Sequence, residues 1–127
     1  METPEQIAQS MLAYPYEELG RDYRGIDCKG IVIEFARRAF GIQIKDDHSF
    51  DAATTLSGSF AEYFTKIDKP KECDIARMGE ESKAESEWKH LGVLVNGTIL
   101  HCTEFRVVRT PLNRIKFAVR EWYRIKR

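Results

Sequence analysis

The chain has 127 residues, with 20 Lys and Arg balancing 20 Asp and Glu, so its formal net charge is zero. That length suits a single domain, residues 1–127, able to bury about two-thirds of its unfolded surface without disulfides or a structural metal. The cancelled charge gives no electrostatic drive toward nucleic acid or an anionic membrane, and no run approaches the roughly 18 apolar residues of a membrane span.

Thr3-Pro4-Glu5-Gln6, followed by Ile7, Met11 and Leu12, predicts a short first helix. Thr3 is its cap, Pro4 its first residue, and Gln6 completes a capping box. The segment lacks the basic and apolar regions of a secretory signal. The expectation is a protein that is cytoplasmic as synthesised and stays there unless something else carries it out. From Tyr14 to Ile26 the chain reads as a loop. Asp27-Cys28 then opens a run in which Ile31, Val32, Phe35, Ala36 and Ala39 recur at helical spacing, predicting a helix over Cys28 to Phe40. Asp27 caps it, and Gly41 suits the left-handed closing position. A third helix is expected from Phe50 to Phe64, interrupted by Ser57-Gly58-Ser59. Asp68 to Lys71 reads as a turn, Cys73 to Met78 as a first strand, and Gly79 to Glu87 as a charged loop.

The carboxyl third changes character. Leu91 to Val95, Asn96-Gly97 and Thr98 to Cys102 predict a hairpin, since Asn-Gly tolerates the two positive φ angles of a type I′ turn. Val107-Val108 and Ala118 to Ile125 supply further strands around a Pro111 turn. Helices first and antiparallel strands second is the α+β pattern. Charge is uneven within this half: Glu80 to Glu87 is acidic, and Arg114 to Arg127 is basic, both read as solvated faces.

Cys28 is the candidate nucleophile. The unpaired N–H groups and about half a positive charge at a helix start favour a thiolate, so its pKa is expected below the ordinary value. A two-residue turn at Asn96-Gly97 pairs Val95 with Thr98 and Gly92 with His101. His90 and His101 then share one face as diagonal neighbours about 7–8 Å apart at the backbone. Only glycine stands between them, and Cys102 faces the other way. One imidazole can take the Cys28 proton while the second orients the first. The three cysteines, Cys28, Cys73 and Cys102, are odd in number and widely spaced, which favours reduced thiols over a disulfide framework. Zinc is not expected: Cys-x-x-Cys and His-x-x-x-His spacings are missing, and His48 beside Asp46-Asp47 reads as a loop residue. Cys73 and Cys102 read as small buried hydrophobes. Adjacent acids such as Glu17-Glu18, Asp46-Asp47 and Glu80-Glu81 diverge in regular structure and are assigned to solvent, which disfavours glycosidase chemistry.

Asp27-Cys28-Lys29-Gly30-Ile31-Val32 resembles the Asp-Cys-x-Gly-Leu-Val motif of the NlpC-type cysteine peptidases, papain-like cell-wall endopeptidases. His90-Leu91-Gly92-Val93 with Ile99-Leu100-His101 is similar to their histidine strand pair. The resemblance implies a papain-like fold, with amino-terminal helices on a carboxyl-terminal antiparallel sheet. It implies Cys28 as nucleophile, His90 as base, His101 as the orienting residue, and no cofactor. The substrate class it implies is a peptidoglycan stem peptide, cut between D-glutamate and the diamino acid. Pro15-Tyr16, Gly20-Arg21 and Gly25-Ile26-Asp27 resemble the family's lead-in, which would set Tyr16 over the active site near the oxyanion; Tyr16 and Asp27 are the candidate oxyanion or substrate-binding residues. The lead-in, Arg37 to Ile42, and Trp122-Tyr123-Arg124 look most like the subgroup encoded with phage tail genes, which makes tail or secretion components expected partners. Two departures stand out. Lys29 replaces a small serine beside the nucleophile, where its cation would lower the thiol pKa or mark a different substrate entrance. Leu19 stands where a first glycine is expected. Alternative readings are an acyltransferase or deamidase using the same thioester, and a structural module of a tail or secretion assembly.

Overall fold

The computed structural model describes residues 2–46 and 62–127, the side chain of Phe117 excepted. Helix α1 (Pro4–Met11) starts with a complete capping box, the Gln6 amide donating to Thr3 Oγ1 and the Thr3 amide to Gln6 Oε1. It buries Ile7, Ala8 and Met11. The lead-in expected to be wholly loop contains two short antiparallel strands, β1 (Arg21–Asp22) and β2 (Gly25–Ile26).

Helix α2 (Cys28–Phe40) has the expected bounds: Asp27 accepts the Gly30 amide at 2.8 Å, and Gly41 closes the helix at φ +67°. Its amino-terminal turn is buried nearly all round, Lys29 and Gly30 included, because the β1–β2 ribbon lies across it. A side chain at position 30 would stand 2.5 Å from the Gly20 carbonyl oxygen. That close approach is the physical reason for the motif glycine two residues after the cysteine.

Strands β3 (Phe64–Ile67), β4 (Ile75–Met78), β5 (His90–Val95), β6 (Thr98–Cys102), β7 (Val107–Pro111) and β8 (Val119–Ile125) form one antiparallel sheet, ordered β3-β8-β4-β5-β6-β7. The strand expected at Cys73 starts two residues later, with Cys73 itself left-handed at φ +73°, and β3 precedes it. The helix expected from Phe50 lies outside the described residues except at its end, where Phe64 opens β3. His48 is likewise outside them. The β5–β6 hairpin has the register read from the sequence, Gly92 opposite His101 and Val95 opposite Thr98, with Asn96 and Gly97 both at positive φ.

Both helices cover one face of the sheet. Ile7, Met11, Ile31 and Phe35 pack with Leu91, Val93, Val95, Leu100 and Ile125 in the main core. A fully buried aliphatic or aromatic side chain there contributes on the order of 2 kcal/mol. The opposite face has a smaller core, Ala76, Met78, Leu94 and Ile99, roofed by Leu112, Ile115, Val119 and Trp122. Pro111, expected as a turn, is instead the last residue of β7 and leads directly into a helical turn, α3 (Leu112–Ile115), whose apolar residues close this second core. Among the described residues no helix is long and apolar enough to cross a membrane.

Candidate active site

Cys28 is the first residue of α2, and its side chain is directed at the start of β5. Its sulfur donates to the Lys89 carbonyl at 3.7 Å, and the backbone N–H groups of Leu91, Lys29 and Cys28 point back at it. Residues 89 and 91 flank His90, so the helix head docks on the segment that carries that imidazole. Cys28 and His90 line one cleft of about 410 Å³, together with Tyr16, Gly79, Glu80, Lys83, Glu87 and Lys89.

Across the hairpin, His90 Nε2 lies 2.8 Å from His101 Nδ1, and the rings meet edge to face. His101 Nε2 lies 2.8 Å from Thr110 Oγ1 on β7. Among the described residues His90 Nδ1 has no hydrogen-bond partner, which leaves it as the nitrogen able to serve the cleft. No hydrogen bond joins the Cys28 sulfur to either imidazole among the described residues.

Electrostatics at rest differ from the sequence expectation. Cys28 is only 6% exposed, and that burial pushes its thiol up to about 11 despite the opposing N–H groups. The helix-start field was expected to lower it; desolvation outweighs that field because packing removes water from the sulfur. Burial, with help from the neighbouring His101, holds His90 down at about 4, and burial also depresses His101. The resting pair is thus a neutral thiol beside a neutral imidazole. Burial raises Cys73 to about 11 and Cys102 to about 12. Cys102 lies on the sheet face opposite the imidazoles, its sulfur 3.5 Å from the Ile26 carbonyl.

Tyr16 lines the Cys28 cleft, and its hydroxyl makes no hydrogen bond among the described residues. Asp27, the other candidate for oxyanion or substrate binding, sits beneath the helix start. It is fully buried, and its oxygens accept from the Gly30 amide, the Leu19 amide and Arg21. Its carboxylate anchors the helix start and the lead-in. Lys29 is fully buried too, its ammonium 3.9 Å from the Asp46 carboxylate. Asp46, assigned to solvent from the sequence, also pairs with Arg21. Leu19 takes the left-handed backbone expected of the glycine it replaces, at φ +66°.

Two residues here carry no motif signal. Thr110 reads as an ordinary strand former; only its cross-strand position places it on His101. Arg77, 5% exposed, donates to the Trp88 and Glu85 carbonyls and pairs with Glu121. It thereby ties down the charged segment that forms one wall of the cleft. Among the described residues, no group of three or more His, Cys, Asp or Glu side chains is placed to hold a metal ion.

No family model matches the sequence, and no curated protein matches it. Solved structures do. The NlpC/p60 domain of the peptidoglycan hydrolase SagA superposes with a TM-score of 0.66 at 17% identity, over 96% of this chain and 96% of that one. An NlpC/p60 family protein from Bacillus cereus superposes with a TM-score of 0.71 at 19% identity, over 98% of this chain and 40% of that one. The helix-on-sheet arrangement, the six-stranded antiparallel sheet and these superpositions together establish that the chain has the papain-like fold of NlpC/p60 domains.

Proposed function

We propose that the protein is a cysteine hydrolase of the NlpC type, cleaving amide bonds in peptidoglycan stem peptides with Cys28 as nucleophile. The observation that carries this reading is the docking of the Cys28 sulfur on the backbone either side of His90, whose far nitrogen is bound by His101. As the sulfur attacks the substrate carbonyl, its proton passes to His90 Nδ1, so that no free thiolate is needed at rest. Negative charge develops on the carbonyl oxygen beside the N–H groups of the helix start and the Tyr16 hydroxyl. His90 returns the proton to the departing amine as the carbon–nitrogen bond breaks, leaving a thioester. Water, deprotonated by His90, then attacks the thioester and releases the acid and the thiol.

Space for a substrate that continues past the sulfur supports the same reading. A second hollow of about 830 Å³ shares Met78, Gly79, Glu80 and His90 with the cleft and extends to Ile115 and Arg120. The imidazole thus stands between two hollows, where it can reach a leaving amine. The diamino-acid bond and the phage-tail association belong to this proposal on sequence resemblance alone.

Digestion of purified sacculi, with soluble peptides identified by mass spectrometry, tests the proposal. Release by the wild type and none by Cys28→Ala is the expected result. New free carboxyl groups identify a hydrolase, whereas transfer of the acyl group to an added amine identifies a transferase. Equal release by Cys28→Ala, or none by the wild type, overturns the reading.

A further inference from the structure

His101 has both ring nitrogens engaged, Nδ1 by His90 and Nε2 by the Thr110 hydroxyl, each at 2.8 Å. Among the described residues no carboxylate contacts either imidazole, so the hydroxyl is the last polar group of the chain His90–His101–Thr110. A neutral imidazole donates at one nitrogen and accepts at the other. The direction of the Thr110 bond therefore sets the direction of the bond before it. If Thr110 Oγ1 accepts Nε2–H of His101, then His101 Nδ1 accepts Nε2–H of His90, and His90 Nδ1 is left empty. If the hydroxyl donates instead, the order reverses, and His90 carries its proton on Nδ1, the nitrogen that a base must keep open.

Register makes this contact possible. Thr110 is paired with Ile99 on β6, two residues before His101, so its side chain shares the imidazole face of the sheet. β7 is an edge strand paired with β6, and valine would suit the strand there as well as threonine does. What threonine adds is the oxygen.

We propose that Thr110 is a positioning residue whose Oγ1 accepts Nε2–H of His101 and thereby holds both imidazoles in the tautomer that leaves His90 Nδ1 free toward the cleft. It touches neither the sulfur nor the substrate. The proposal rests on the reading of His90 as base, but its geometric half can be measured without any turnover.

The test is histidine-¹⁵N NMR on the full chain, with kinetics, for wild type, Thr110→Val and Thr110→Ser. The wild type and Thr110→Ser should show the proton on Nε2 of both rings. Thr110→Val, which keeps the shape and loses the oxygen, should show a mixture on His101. On a peptide substrate Thr110→Val should lower kcat by about tenfold or more with KM within about twofold, and Thr110→Ser should restore kcat. A proton on His101 Nδ1 in the wild type overturns the proposal, as does a Thr110→Val variant with wild-type spectra or wild-type kcat. If the wild type cleaves no peptide at all, the hydrolase reading fails, and the spectra alone decide the role of Thr110.

Discussion

His90 and His101 face each other across one hairpin with Nε2 and Nδ1 2.8 Å apart and ring planes at 83°. Both rings are held neutral by burial, which makes them an acid-sensitive part of the fold. His90 falls from 6.5 to about 4 on folding, so between those values the unfolded chain binds the extra proton. Stability from this group is complete above the unfolded pKa and is lost as pH falls toward the folded one. Chemical denaturation at pH 7 and pH 5 should differ by about 2 kcal/mol from His90 alone, the lower pH being less stable. In His90→Gln that part of the difference should vanish. An unchanged pH dependence in the variant would show that His90 is not the group responsible.

Alkylation of Cys28 by iodoacetamide should be slow at neutral pH and rise with an apparent pKa near 11, because burial outweighs the helix-start N–H groups. Site-resolved mass spectrometry across pH 6 to 11 should show labelling of Cys28 still rising at the upper end of the range. A midpoint for Cys28 below the ordinary thiol value of about 8.5 would mean that the sulfur rests as a thiolate and that the neutral-pair account is wrong.

Leu19 holds a left-handed backbone at φ +66° with its side chain 46% exposed, so it carries strain and buries little in return. Leu19→Gly should raise stability by about 0.5–1 kcal/mol, the relief of roughly 1–2 kcal/mol being partly offset by the greater freedom of glycine in the unfolded chain. The urea midpoint reports it. A fall in the midpoint would mean that contacts of the leucine side chain exceed the backbone strain.

Gly92, opposite His101, admits no side chain: a Cβ there would stand 2.4 Å from Ile99 Cγ2 and 3.1 Å from Met78 Cε. Gly92→Ala should cost about 1–3 kcal/mol through overpacking in the second core. Wild-type stability in thermal melts would contradict the close packing behind the imidazole pair.

Legibility followed the range of the physical rule involved. Helix α2 was readable to its ends because Asp27 and Gly41 act on backbone within one turn of themselves. The shared face of His90 and His101 was readable because a two-residue turn leaves one register, and strand parity does the rest. The order of the strands, the second core beneath α3 and the Thr110 contact were not, since each depends on pairing between segments that no local signal joins. The sign of the Cys28 shift is hidden from the sequence for the same reason. The helix-start field is local and visible in the sequence, while the water-excluding contacts that overcome it come from Leu91, Cys102 and the other core residues brought in by the fold.

Intact-mass spectrometry of the acid-quenched protein during turnover of a stem-peptide substrate tests most directly whether Cys28 becomes acylated. The account predicts a transient adduct equal in mass to the acyl half of the peptide, localised to Cys28, and its disappearance in Cys28→Ala together with peptide release. Peptide release that proceeds with Cys28 unmodified, or that survives Cys28→Ala, would contradict it.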